Sequence, residues 1–226
     1  MLPDEILLAI FYFYVDNPLD EFRLSATRKG IEAWQSLVHV CRRWRSVVFG
    51  SPRRLNLRLC YTPKTPARGI RVWPELPLVI CNPIIGSYVD LTAVLDSEYS
   101  DRVCHIALIL TNLQVEEISR VMQKPFPELT HIDLRTGFGL IPALPDSFLG
   151  GSAPHVQRFW LQGILFPALP KLLLTATRLV DLRLCNLPHS GYILPEVIVI
   201  ALSTLTRLQF LEIGFRVFVS HPDRAG

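Results

Sequence analysis

The residue types that could do chemistry in this 226-residue chain stand apart from one another. Gly150-Gly151-Ser152-Ala153-Pro154 sets a serine among glycines, but it lacks the second glycine of a G-x-S-x-G nucleophile turn and reads as a loop. Gly137-Phe138-Gly139 is a lone G-x-G without the rest of a dinucleotide-binding loop, and no G-x-x-x-x-G-K-[ST] occurs. His131 and Asp133 would share one strand face, as two metal ligands can, but no third ligand accompanies them and H-E-x-x-H is absent. The remaining histidines (His39, His105, His155, His189, His221) are scattered. Cys41, Cys60, Cys81, Cys104 and Cys185 are odd in number and never form C-x-x-C. That usage suits reduced thiols buried as small hydrophobes inside a cell, not a disulfide framework or a zinc site. The expectation is a chain with no catalytic residues, no metal and no cofactor, and therefore a binding protein and not an enzyme.

Composition narrows the kind of partner. Half of the residues are apolar and 19% are charged, below the roughly 25% of an average soluble domain, which excludes disorder for most of the chain. A net charge of +3 does not call for nucleic acid or an anionic membrane surface. The apolar runs, such as those over 6–15, 106–115 and 197–206, fall short of the about 20 residues that a spanning helix needs. The first run is led by Asp4 and Glu5 and flows into Asp16-Asn17-Pro18, the wrong flanks for a secretory signal. An intracellular protein, cytoplasmic or nuclear, with a protein partner is expected.

The elements that would hold such a surface begin at the N-terminus. Pro3 with Asp4 and Glu5 starts a helix, because proline's fixed φ suits the first turn and carboxylates complement the positive end of the dipole. Ile6 to Val15 carries nothing more polar than tyrosine, so the helix is apolar all round and needs burial all round. Residues 16–30 read as a polar loop. Helical spacing resumes through Ile31, Trp34, Leu37, Val38, Cys41, Trp44, Val47 and Val48, and Gly50-Ser51-Pro52 stops it. Fifty residues cannot enclose that much apolar surface, which points to a partner interface. The basic run Arg42 to Arg45 would suit an acidic partner or form a solvated helix face.

Beyond residue 53 a pattern repeats. Apolar-x-x-apolar-x-apolar occurs at Val103/Ile106/Leu108, Leu129/Ile132/Leu134, Val156/Phe159/Leu161, Leu179/Leu182/Leu184 and Leu208/Leu211/Ile213, with first residues 26, 27, 23 and 29 apart. Leu55-x-Leu57-x-Leu59 and Leu76-x-Leu78-x-Ile80 look like degenerate earlier copies. Segments 115–124, 168–175 and 195–206 have helical character between them. The spacing lies in the 20–29 period of leucine-rich repeats, whose units must stack because none buries its own apolar face. A doubly wound sheet also alternates strand and helix; short strands, many prolines and the fixed signature favour the solenoid. The fold class expected is α/β overall: an all-α helical unit over 1–52, then an open solenoid of parallel strands with outer helices and loops over 53–226. The array shows no polar terminal unit after Ile213 and reads as incomplete at its C-terminus. Because strand side chains alternate, the concave face would carry the column Asp133, Trp160, Arg183, Glu212 across neighbouring strands, an unpartnered tryptophan among charges. The alternative is a solvated sheet with Arg183–Glu212 pairing.

Leu2-Pro3-x-Glu5-Ile6-Leu7, Ile10-Phe11 and Leu37-x-x-Val40-Cys41-Arg42-x-Trp44-Arg45-x-Val47-Val48-Phe49 together resemble an F-box. With the repeats, the chain resembles the F-box/leucine-rich-repeat proteins of basidiomycete-type fungi. The resemblance implies a three-helix hook docking on the Skp-type adaptor of a cullin–RING ubiquitin ligase through Leu2, Pro3, Ile6, Leu7, Ile10 and Phe11, supported by Val40, Cys41 and Trp44. It implies a substrate-recognition role in an SCF-type complex that leads to protein degradation, with Asp133, Trp160, Arg183 and Glu212 facing the target. The competing readings are a leucine-rich interaction scaffold with no ligase role, and a hydrolase or transferase whose active site forms from residues distant in sequence.

Overall fold

A computed structural model describes residues 2–15, 31–61, 70, 72–82, 94–96, 99–137, 142–188, 191 and 193–216. They fall into two compact units, Met1–Ile109 with Phe126–Leu129, and Leu110–Pro125 with Thr130–Gly226. Both are mixed α/β with parallel strands. The N-terminal helices and the first strands share one unit.

In the first unit α1 spans Asp4–Val15, α2 Trp34–Val38 and α3 Arg42–Gly50. The inward face of α1 buries Leu7, Leu8 and Phe11, and the Phe11 ring meets Trp44 of α3 at 4.8 Å between centroids. Arg43 donates to the Asp4 carboxylate at 2.7 Å and to the Leu2 carbonyl, so part of the basic run is spent on holding the start of α1. The helical spacing of 31–48 is broken at His39-Val40-Cys41. Cys41 is extended there (φ −159°), and its Sγ accepts the Trp44 N–H at 3.5 Å, capping a donor that α3 leaves orphaned. Trp34 is fully buried, edge-on to Trp73 and Phe49, and its Nε1–H donates to the Arg58 carbonyl at 2.9 Å. This one side chain ties the helices to the entry of the first strand.

The strands β1 (Leu59–Tyr61), β2 (Leu78–Asn82) and β3 (Val103–Leu110) pair parallel in chain order. The first expected copy shrinks to three residues: Asn56 adopts a left-handed φ of 48° and the Leu57 N–H donates to the Pro52 carbonyl, so Leu55 and Leu57 are buried in a turn ahead of β1. Leu78, Ile80, Ile106 and Leu108 fill one side. The small side chains of Cys60, Val79, Cys81, Cys104 and Ala107 form a second buried cluster, with Ile31 packed against it. Glu32 Oε1 accepts the Cys60 N–H at 3.0 Å and so occupies the edge of β1.

In the second unit α4 spans Asn112–Val121, α5 Leu169–Leu173 and α6 Pro195–Ser203. The helix α4 begins three residues ahead of its apolar spacing because Thr111 and Gln114 close a reciprocal capping box. The strands β4 (His131–Thr136), β5 (Arg158–Gln162), β6 (Asp181–Leu187) and β7 (Phe210–Phe215) are parallel and follow one another in order. The register sets Ile132, Phe159, Leu182 and Leu211 in one column and Leu134, Leu161, Leu184 and Ile213 in the next. Each step repeats the same backbone bond at 2.8 Å: Gln157 N–H to Thr130 O, Val180 to Gln157, Gln209 to Val180. The pattern written in the sequence is thus a set of stacked columns, each strand covering the flank of the last.

Two expectations follow. Gly163 has φ +69°, and a Cβ there would lie 2.6 Å from Thr136 Oγ1, which donates to the Gly163 carbonyl at 2.9 Å. Gly163→Ala is expected to cost about 1–2 kcal/mol from the left-handed conformation alone, and more with the clash, read by urea denaturation. Burial pushes the Cys104 thiol up to about 11. A thiol with a raised folded pKa stabilises the fold while protonated in both states; as pH rises past the unfolded value near 9, only the unfolded chain ionises. Stability should fall by about 1.4 kcal/mol per pH unit between roughly 9 and 11, and Cys104→Ala should flatten that slope.

Candidate interaction surfaces

Two surfaces carry the residues singled out from sequence. Leu2, just ahead of α1, and Ile6, Ile10 and Phe13 on it recur at helical spacing on the side away from Leu7, Leu8 and Phe11, and they are between 47% and 82% exposed. Val40, in the turn before α3, is exposed as well, and so are Pro3, Cys41, Tyr12 and Tyr14. Within its own unit α1 therefore buries one stripe and leaves the other exposed. Leu7 and Phe11, expected to face a partner, are 4% and 0% exposed and serve the packing of the helices on each other, with Trp44 against Phe11. Phe13 and Tyr14 join the outer row. Their apolar identity was visible in sequence, but the side they occupy depends on which stripe α2 and α3 take.

The second surface is the face of β4–β7 opposite the apolar columns. Asp133, Trp160, Arg183 and Glu212 lie abreast in register, as alternation requires. The tryptophan is not unpartnered. The Arg135 guanidinium carbon sits 3.5 Å over the Trp160 ring, that of Arg183 lies 5.0 Å from the same ring, and Arg183 also covers Phe210 at 4.3 Å. Each arginine is fixed by the carboxylate two residues before it on its own strand. Arg135 donates to Asp133 at 2.7 and 2.6 Å, and Arg183 donates to Asp181 at 2.9 and 3.0 Å. Arg183 forms this bidentate, same-strand pair with Asp181, which holds both oxygens at once, and the Glu212 charge acts on it from the neighbouring strand. The repeated Asp-Leu-Arg of 133–135 and 181–183 was the sequence signal for Arg135 and Asp181.

Electrostatics follow from this stack. Burial raises the Asp133 pKa while the Arg135 bonds and the Arg135 and Arg183 charges oppose it. The Asp181 bond raises the Arg183 pKa. Burial and then the Glu212 charge push the Cys185 thiol up. The Trp160 Nε1–H is enclosed with no acceptor in full hydrogen-bond geometry among the described residues, and its approach to the Cys185 sulfur pulls that thiol down, opposite to Glu212. With Arg135, Arg158 and Arg183 against Asp133, Asp181 and Glu212, the face is balanced in charge. It offers stacked planar groups and fixed dipoles.

The other candidates stay apart. His131 Nδ1 lies 2.8 Å from Thr130 Oγ1, and the Asp133 carboxylate is engaged by Arg135, so the two do not converge on a metal. Among the described residues no group of three or more His, Cys, Asp or Glu could hold a metal ion. Ser152 is exposed after the turn at 148–151. Residues 138 and 139 of the G-x-G, with His189 and His221, lie outside the described residues. No described helix is long and apolar enough to cross a membrane. No protein-family model matches the chain, and no curated protein matches it in sequence.

Removing the stacked arginine tests the second surface. Arg135→Ala leaves a partly buried Asp133 carboxylate without its donors and bares the indole. It should cost about 1.5–3 kcal/mol and raise acrylamide quenching of the emission that Trp160→Phe removes. Adding Asp133→Asn should recover part of the loss; unchanged stability and quenching in Arg135→Ala would refute the stack.

Proposed function

We propose that this chain is a non-catalytic substrate adaptor of an SCF-type cullin–RING ubiquitin ligase, of the F-box/leucine-rich-repeat kind. In this reading α1, α2 and α3 form the hook that docks on a Skp-type adaptor. The stacked strand units are leucine-rich repeats, and the Asp133–Trp160–Arg183–Glu212 face, with Arg135 and Asp181, receives an intracellular target protein. The chain then acts by proximity, holding target lysines near a charged conjugating enzyme and converting a bimolecular encounter into a local one.

The observation that carries the proposal is the outer row of α1. A helix led by Pro3-Asp4-Glu5 keeps Leu2, Ile6, Ile10 and Phe13 in solvent although its own unit buries Leu7, Leu8 and Phe11. Exposed apolar rows of this kind mark protein interfaces in monomers. Parallel strands returning every 23–29 residues with columns of buried Leu, Ile and Phe support the repeat half of the reading.

The test is co-expression with a Skp-type adaptor followed by co-elution on size exclusion. A stable complex is expected, with Ile6→Asp plus Ile10→Asp abolishing it at unchanged circular dichroism. These positions are chosen because Leu7→Asp would disrupt packing instead. Failure of the native chain to co-elute would favour the interaction scaffold without a ligase role.

A further inference from the structure

We propose that the turns leading into β5, β6 and β7 form a basic rim that anchors an acidic segment of the target protein. The inference rests on reading the strand units as a target-binding array, and it names the chemistry of the segment they take. The three turns are one motif repeated. Each is closed by the same backbone bond: Val156 N–H to Ala153 O at 3.2 Å, Leu179 to Ala176 at 3.0 Å and Leu208 to Leu205 at 3.1 Å. The third residue of each turn is exposed, and these residues are His155, Arg178 and Arg207. The last two turns share a longer phrase, Thr-x-Thr-Arg-Leu at 175–179 and 204–208, in which the Thr177 and Thr206 N–H groups donate to the Thr175 and Thr204 carbonyls at 2.9 and 3.1 Å. The strands that follow pair in register, so equivalent turn residues are set about 4.8 Å apart from step to step.

These arginines differ from those of the strand face in that no carboxylate answers them. Arg135 and Arg183 are each tied to an aspartate two residues earlier. Among the described residues Arg178 and Arg207 make no ion pair and no side-chain hydrogen bond. The acidic residue closest to Arg178 along the chain, Asp181, has both oxygens on Arg183. Arg178 stands on the middle step with a turn on either side, so its exposure owes nothing to the last strand. The exposed Thr177 and Thr206 precede the two arginines, so each of these steps offers a hydroxyl and a planar fork of donors, the set that fits a carboxylate.

Length selects a peptide as the occupant. Two steps of the rim span about 10 Å, enough for two acidic side chains on one side of an extended segment, where alternate residues lie about 6.8 Å apart. A nucleic-acid strand gains its affinity by neutralising many phosphates along a continuous basic track, and this rim is two arginines and an imidazole long. The neighbouring face of Asp133, Trp160 and Arg183 is balanced in charge, so it attracts neither sign on its own. The rim supplies the net attraction that the face lacks, and a segment held there by its carboxylates is delivered to the adjoining strand face.

Fluorescence anisotropy of a labelled oligoglutamate peptide against the full chain, at about 50 mM and about 300 mM salt, tests it. Saturable binding is expected with a Kd of roughly 10–100 μM at the lower salt, and several-fold weaker at the higher. Arg178→Glu plus Arg207→Glu should weaken it about tenfold or more at unchanged circular dichroism. Arg178→Lys plus Arg207→Lys, which keeps the charge and loses the fork, should weaken it less. Arg120→Glu plus Lys171→Glu, an equal charge reversal at exposed positions of the outer helices α4 and α5, should leave the affinity within about twofold. Co-elution with a Skp-type adaptor should survive the paired rim substitution, so failure of the rim is read apart from failure of the adaptor reading. Absence of saturable binding, an affinity unmoved by the paired rim substitution, an equal loss from the helix pair, or tighter binding of oligothymidylate would overturn the proposal.

Discussion

Each strand of this protein carries two or three large apolar side chains on one face, and no strand–turn–helix segment is large enough to bury its own. Burial comes only from the next segment laid alongside in parallel. That constraint accounts for the register columns, for the identical backbone bond at each step from Thr130 to Gln209, and for the turn at Gly163, where a side chain would collide with Thr136 of the preceding strand. A structure held this way propagates by nearest neighbours.

The same constraint leaves its two units with different faces. Around β1 to β3 both sides of the strands are buried, and the second side is built from cysteines, valine and alanine small enough for Ile31 to lie against them. Around β4 to β6 only one side is buried; the other carries arginines, aspartates and Trp160. The exposed side is nevertheless ordered. The Arg135 and Arg183 guanidinium groups each have one edge tied to a carboxylate and one plane laid on an aromatic ring, which removes much of their rotamer freedom.

Much of this was legible before any coordinates. Residues 131–136, 158–162, 181–187 and 210–215 form strands where the recurring Leu and Ile pairs place them, because a period of two on one face admits only one register. The outward column of Asp133, Trp160, Arg183 and Glu212 follows from the same parity. What misled was side-chain reach. Arg183 and Glu212 are neighbours across strands, yet a bidentate carboxylate two residues away on the same strand is the better-shaped partner, and Arg135, one row off, is long enough to lie over Trp160. The position of the break before Cys41 was open for a related reason: helical spacing runs through 31–48 without interruption, and the thiol's acceptance of the Trp44 N–H marks where the later helix begins.

The sequence by itself determined the parallel strand units, their period and the two faces of each strand, since these rest on alternation and on the cost of leaving apolar surface in water. Only the tertiary structure decided which stripe of α1 is spent inside, because an evenly apolar helix holds no preference until α2 and α3 occupy one side of it. Only the tertiary structure decided, too, that Trp34 would join the helices to the first strand through the Arg58 carbonyl. Contacts between residues 24 apart depend on where the chain returns in space, and local spacing carries no record of that return.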